Sequence, residues 1–196
     1  MLGITSRLEP LPTTNNGLDA VRATLRKMVA IVRKYSADVT TVQTATAIIH
    51  QAGITDTRAQ RFQTIKAIQN WVRDRIGYAH DPAGTEMIQT PPATLSRGYG
   101  DCDDKAILVC ALLTALGFDC EFLAVGGSGA GWDTGCAVGP SGFPDYSHVL
   151  AAVRYGGQTG RKPPFLDGWL TLETIVPSAG PGWFPRGVRV VMPARI

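Results

Sequence analysis

Apolar residues change their spacing once along this chain, near Gly117, and that single change decides the class of fold open to it. Before Gly117 they recur every three or four residues. Val21, Leu25, Met28, Val29 and Val32 line one helical face that begins at Leu18. A second helix is expected over roughly residues 38–51, with Asp38 as its N-cap. A third is expected from Asp56 and Thr57 through Arg75, with Phe62, Ile65, Ile68, Trp71 and Val72 inward and Gly77 just past its end. A fourth runs from about Asp101 to Leu116, buries Ala106, Ile107, Val109, Cys110, Leu113 and Leu116, and stops at Gly117. Beyond it, 120–125, 148–155, 165–175 and 188–192 are rich in Val, Phe, Leu and aromatic residues and read as strands. Helices first and strands later predict an α+β fold with an antiparallel sheet.

Two interruptions and a tail complete the organisation. Residues 78–100 hold Pro82, Pro91, Pro92 and three glycines and read as a long structured loop. Residues 126–142 carry seven glycines in 17 positions, the pattern of a functional or mobile loop. Residues 1–16, with Pro10, Pro12 and the run Thr13-Thr14-Asn15-Asn16, read as a flexible tail. The expected division is a tail over 1–16, a helical extension over 17–55 and the main domain over 56–196.

Composition narrows the function classes. With 196 residues, 44% of them hydrophobic and 18% charged, the chain can bury the core of one domain. No stretch approaches the length of uncharged apolar sequence that spans a bilayer, and residues 1–16 contain no apolar signal segment, so a cytoplasmic location is expected. The net charge is +3, and the 14 Arg and 5 Lys are scattered without aromatic interleaving, which argues against nucleic acid as a partner. Cys102, Cys110, Cys120 and Cys136 contain no CxxC pair, so neither a disulfide framework nor a zinc site is expected, and no cofactor is implied.

Chemistry concentrates in Arg97-Gly98-Tyr99-Gly100-Asp101-Cys102-Asp103-Asp104-Lys105. Glycines turn the chain into the start of a helix, Asp101 is placed as its N-cap, and Cys102 falls in the first turn. There the unsatisfied N–H groups and the positive helix end favour a thiolate and can bind an oxyanion formed beside the sulfur. Asp103 and Asp104 stabilise the helix end, while their charge opposes ionisation of the thiol. A thiolate nucleophile needs a base and a group to orient it. His148, first in a predicted strand, can be the base, and Glu173, in the next strand, can hold the imidazole tautomer. Asp167 competes for that third position, but Asp-Gly before Trp169 suits a tight turn better, so Glu173 is favoured. Cys110 reads as a core thiol, Trp71 as core, and His50 and His80 as surface or loop residues. Cys120 and Cys136 have no assigned role.

Gly100-Asp101-Cys102-Asp103-Asp104, followed by the helix through Gly117, resembles the nucleophile motif of the transglutaminase-like superfamily. Ser147-His148-Val149 is similar to that family's histidine strand. Gly168-Trp169-Leu170-Thr171-Leu172-Glu173-Thr174 is similar to its acid strand, which ordinarily carries Asp where this chain has Glu173. Ala67-Ile68-Gln69-Asn70-Trp71-Val72 through Ile76-Gly77-Tyr78 is similar to the helix before the motif, and Gly182-Trp183-Phe184-Pro185 fits the short form found in bacterial and phage genomes. The resemblance spans roughly residues 57–186. It implies a papain-like fold in which the nucleophile's helix packs on an antiparallel sheet. It further implies a Cys102–His148–Glu173 triad acting on a peptide or protein amide through a thioester. Water would then resolve the thioester in a protease, amidase or deamidase, and an amine would do so in a cross-linking enzyme. Such proteins often add an upstream side chain to the oxyanion site, and Tyr78, Trp71 and Tyr99 are the candidates. Glu in place of Asp adds a methylene, so its strand is expected to sit slightly further from His148. A different class is also consistent with the resemblance: a structural or assembly protein, for instance part of a phage particle. Residues 1–55 would then dock a partner or build an oligomer.

Overall fold

Leu25, Met28 and Val32, three and four residues apart, are buried along one side of the helix α1 (Gly17–Tyr35). This chain, as a computed structural model, is described for residues 9–10, 17–81, 87–127, 146–156, 168–186 and 188–196. Asp38 accepts the backbone N–H groups of Thr40 at 2.9 Å and Thr41 at 3.4 Å and so starts α2 (Val39–Gln51), as its sequence predicts. The next helix, α3 (Arg61–Arg75), starts later than expected. Asp56 spends its carboxylate on the N–H groups of Arg58 (2.8 Å) and Ala59 (2.9 Å), closing a separate turn, and the helix begins only after it. Ile65, Ile68 and Val72 are buried as predicted. Phe62 is not: it lies in the first turn, 40% exposed, with its ring edge-on to Tyr155 at 6.1 Å.

Residues 78–100 are not one loop. Glu9–Pro10 (β1), within the expected tail, pairs antiparallel with Met87–Ile88 (β3). Gly77–Tyr78 (β2) pairs in parallel with Tyr99–Gly100 (β4). Between β3 and β4 lies α4 (Pro91–Arg97), whose first turn is Pro91-Pro92. Proline there has its φ already set for a helix and surrenders an N–H that would have no intrahelical partner, so the two prolines begin a helix instead of breaking one. Gly98, at φ +74°, ends it in the left-handed conformation.

The central element is α5 (Cys102–Ala115). A single inward face is expected of it, but every residue from Asp103 to Leu113 is buried, while Leu116 just beyond is only partly so. The other helices enclose one side of α5 and the sheet covers the other, so α5 has no solvent face and needs no amphipathic pattern. Gly117 (φ +80°) turns the chain into β5 (Cys120–Gly127). Next come β6 (Tyr146–Arg154), β7 (Trp169–Leu172) and β8 (Val188–Arg195), in the antiparallel order β7-β6-β5-β8. Val125 lies opposite His148, and Ala151 opposite Leu172. The strand expected over 165–175 is confined to Trp169–Leu172 among the described residues, and Glu173 lies just past its end. No helix among the described residues is long and apolar enough to cross a membrane.

Candidate active site

Cys102 occupies the first turn of α5, where a reciprocal cap fixes the backbone. Asp101 accepts the Asp104 N–H at 3.1 Å, and the Asp104 carboxylate accepts the Asp101 N–H at 3.4 Å. The approach to this cap is clamped by β2: the Gly77 N–H donates to Gly98 O at 2.8 Å, and the Ala79 N–H to Gly100 O at 3.1 Å. Gly100 has no room for a side chain. A Cβ there would lie 2.6 Å from Asp104 Cβ and 2.8 Å from its Oδ2. The thiol of Cys102 is half-buried, outside any disulfide, and donates to Asp103 Oδ1 at 3.5 Å.

Asp104 is more than a first-turn charge. It is fully buried and also accepts the Gln89 backbone N–H at 2.7 Å and its Nε2 at 2.5 Å, tying the segment before α4 to the start of α5. Burial pushes its carboxyl up to about 6, against the hydrogen bonds from Gln89 and Asp101, which pull it down. The folded chain therefore holds this proton more tightly than the unfolded one, whose carboxyl titrates near ~3.9. The stability due to that proton is complete below the unfolded value and disappears as pH rises through about 6. Between about pH 7.5 and about pH 5, wild type is expected to gain about 1 kcal/mol relative to Asp104→Asn, read by urea unfolding at both pH values. A difference that does not change with pH would contradict this.

His148 and Glu173 form a buried pair. Nε2 of His148 lies 2.7 Å from Glu173 Oε2, and both side chains are 1% exposed. Glu173 departs from its expected place within a strand. The chain leaves the sheet after Leu172, and the longer side chain reaches back to the imidazole from there. Its Oε1 accepts the Ile175 N–H at 2.6 Å, and Gln69 Nε2 donates to its backbone carbonyl at 2.8 Å. The bond to Nε2 leaves Nδ1 as the ring nitrogen directed away from the carboxylate.

His148 sits on a strand that packs against α5, the helix that begins at Cys102. β5 folds back along α5, and β6 folds back along β5, so α5 and β6 run the same way. Cys110 Sγ contacts the Glu121 carbonyl at 3.8 Å, and Glu121 lies opposite Ala152. Going back from that level, Cys102 is about 12 Å away along the helix. His148 is about 13 Å away along β6 in the same direction.

Lys105, one turn past Cys102, ties the start of α5 to the end of α3. It is 2% exposed, donates to the Ile76 carbonyl at 2.6 Å and the Arg73 carbonyl at 3.5 Å, and so caps the C-terminal end of α3. Burial pushes its ammonium down to about 8, and the nearby Glu173 carboxylate opposes that shift. The sequence reading assigned no role to Lys105 or Gln69. Their only signal is position: a lysine immediately before the apolar run of α5, and a glutamine one residue past the buried Ile68 of α3.

The oxyanion candidates separate. The register sets Tyr78 opposite Gly100 and Tyr99 opposite Gly77, and both tyrosines are exposed. The Tyr78 hydroxyl is 3.4 Å from His80 Nδ1, with the rings edge-to-face at 4.8 Å. Trp71 packs, partly buried, against the main core. Cys110 and Cys120 are buried thiols, and burial pushes Cys110 well up. His50 lies exposed in the last turn of α2. Asp167, Cys136 and most of the glycine-rich 126–142 segment lie outside the described residues. Among the described residues, no three His, Cys, Asp or Glu side chains are gathered as metal ligands would be.

Residues 50–173 match the family model described as the transglutaminase-like superfamily. Among solved structures, a candidate protease from Parabacteroides distasonis is similar with a TM-score of 0.48 and 16% identity, over 72% of this chain and 25% of that one. The chain thus spans a quarter of that protein's length. No curated protein matches.

Proposed function

This chain belongs to the transglutaminase-like superfamily, and from that premise we propose that it performs thiol-dependent acyl transfer on peptide or protein amides. The thiolate of Cys102 attacks the amide carbonyl carbon. The tetrahedral oxyanion is met by the Cys102 backbone N–H, with Tyr78, whose strand pairs with the one that leads into α5, as the candidate for a second donor. Collapse breaks the C–N bond, His148 delivers the proton to the departing amine, and a thioester remains on Cys102. His148 then takes a proton from water or from an amine as it attacks, restoring the thiol and releasing acid or transferred amide. Glu173 holds the ring and offsets the charge of the imidazolium at each protonation.

The observation that carries this reading is the His148–Glu173 pair: two ionisable groups, 1% exposed and 2.7 Å apart, on the sheet that packs against the helix whose first turn bears a half-buried thiol. Burying such a pair costs desolvation, a cost that structures commonly bear at reactive centres. Glutamine-containing peptides incubated with a primary-amine probe separate the possible outcomes. Cleavage marks a protease, ammonia release with neither cleavage nor probe incorporation a deamidase, and probe incorporation, which also releases ammonia, a cross-linker. One of the three is expected, with the Cys102→Ser protein at background. If none exceeds that background and the wild-type chain runs as a large oligomer, the assembly role gains support and the enzyme reading falls.

A further inference from the structure

A second built surface shares no lining residue with the site around Cys102, His148 and Glu173. Between α1 and β8 lies a groove of about 770 Å³, and five of its lining side chains are cationic: Arg22, Arg26, Arg33, Lys34 and Arg195. No carboxylate lines it among the described residues. Arg22 is paired with Asp19 at 3.3 Å, and Arg195 lies 3.8 Å from Glu121. Arg26, Arg33 and Lys34 have no carboxylate partner among the described residues. They recur along one side of α1, and the stripe from Arg22 to Lys34 is about 18 Å long. The floor is apolar, with Val29 and Met192 among its residues, and it contains no aromatic side chain.

β8 forms one wall and is the edge strand of the sheet, paired only with β5 among the described residues. The outer edge of β8 offers backbone groups to an extended chain that lies alongside, N–H and C=O from the residues on either side of Pro193 and C=O alone from Pro193, which has no N–H. A stripe about 18 Å long matches about five residues of such a chain, whose alternate side chains would face α1.

We propose that this groove binds an extended acidic peptide segment of a partner or substrate protein. The segment adds to β8 through main-chain hydrogen bonds and sets its carboxylates against Arg26, Arg33 and Lys34. Charge selects the occupant, since an uncompensated row of cations above an apolar floor favours carboxylates alternating with apolar residues. The lack of aromatic side chains disfavours stacked bases of single-stranded nucleic acid. A second copy of the chain would bring the same cations to a shared two-fold contact, where they repel. The inference does not depend on the chemistry proposed for Cys102, because binding is read without turnover.

The test uses the full chain carrying Cys102→Ser and a fluorescein-labelled peptide of alternating Glu and Val, followed by anisotropy. Three comparisons accompany it: a Lys/Val peptide, an N-methylated Glu/Val peptide that cannot pair as a strand, and a single-stranded oligonucleotide. Saturable binding of the Glu/Val peptide is expected, weakened at least about tenfold by Arg26→Glu with Arg33→Glu. Both positions are solvent-exposed, so the variant is expected to fold, and its circular dichroism would be checked. The N-methylated and Lys/Val peptides are expected to bind at least about tenfold more weakly. No binding of the Glu/Val peptide, equal binding to the charge-reversed variant, indifference to N-methylation, or tighter binding of the oligonucleotide would each overturn the proposal.

Discussion

Cys102→Ser is expected to lower turnover by at least about 10³-fold while the chain stays folded. Serine is nearly isosteric with cysteine and suits the first turn of a helix, and the side chain is only half-buried, so stability is expected to change by no more than about 0.5 kcal/mol. The chemistry does not survive the exchange. A helix N-terminus and an imidazole can hold a thiolate near neutrality, whereas a serine hydroxyl is far too weak an acid to ionise there. The measurement is kcat/KM on whichever peptide is turned over, with urea unfolding as the control for folding. His148→Ala is expected to cost about as much, and the double variant little more than either single one, because the two residues act in one step. Activity in Cys102→Ser within about tenfold of wild type would place the nucleophile elsewhere.

Glu173→Gln is expected to cost about 10²- to 10⁴-fold in kcat and to change KM little. The reason lies in the two oxygens of Glu173. Oε1 is committed to the Ile175 N–H at 2.6 Å, and Oε2 to His148 Nε2 at 2.7 Å. A carboxamide has one oxygen. If that oxygen stays on the Ile175 N–H, its NH₂ faces Nε2 and forces that nitrogen to accept, which moves the ring proton to Nδ1. Nδ1 is the nitrogen left to receive the thiol proton, so the ring then sits in the inactive tautomer. If the amide flips, its NH₂ meets the Ile175 N–H, and a buried donor without an acceptor costs about 1–3 kcal/mol. Glu173→Asp keeps both acceptors on a shorter arm and is expected to retain more activity than Gln. A Glu173→Gln enzyme within about twofold of wild type would mean that Glu173 does not orient His148.

Local signals carried far in this chain. The three-and-four spacing of α1, the Asp38 and Asp101 caps and the Gly117 terminator each act within one helical turn, and the structure bears each of them out. The same holds for Cys102 in the first turn of α5, because a cap and the residue after it are neighbours in sequence. What escaped was decided by contacts between distant residues or by competition between two local options. Asp56 could cap a helix or close a turn, and its bonds to Arg58 and Ala59 chose the turn. Pro91-Pro92 could break a loop or begin a helix, and both readings use the same fixed φ. Two-residue strands such as β2 and β4 are too short to show any periodicity. The burial of α5 on every side depends on all its neighbours, so no pattern within its own residues announces it. Gln69 meets Glu173 across 104 positions, and Lys105 meets Ile76 across 29, distances over which spacing rules say nothing. Asp104 reads in the sequence as a first-turn carboxylate that stabilises the helix end, and Gln89, fifteen residues upstream, makes it a buried tie as well.

The coupling of Cys102 to His148 is tested most directly by the rate of iodoacetamide alkylation at each described cysteine, followed by mass spectrometry from about pH 4 to about pH 9, in wild type and in His148→Ala. Cys110 and Cys120 are buried and serve as internal references for unfolding. A thiolate–imidazolium pair predicts that Cys102 alone reacts fast, that its profile rises well below the ~8.5 of a free thiol, and that His148→Ala moves the rise upward. A Cys102 that is inert, or that titrates near ~8.5 in both proteins, would contradict the triad.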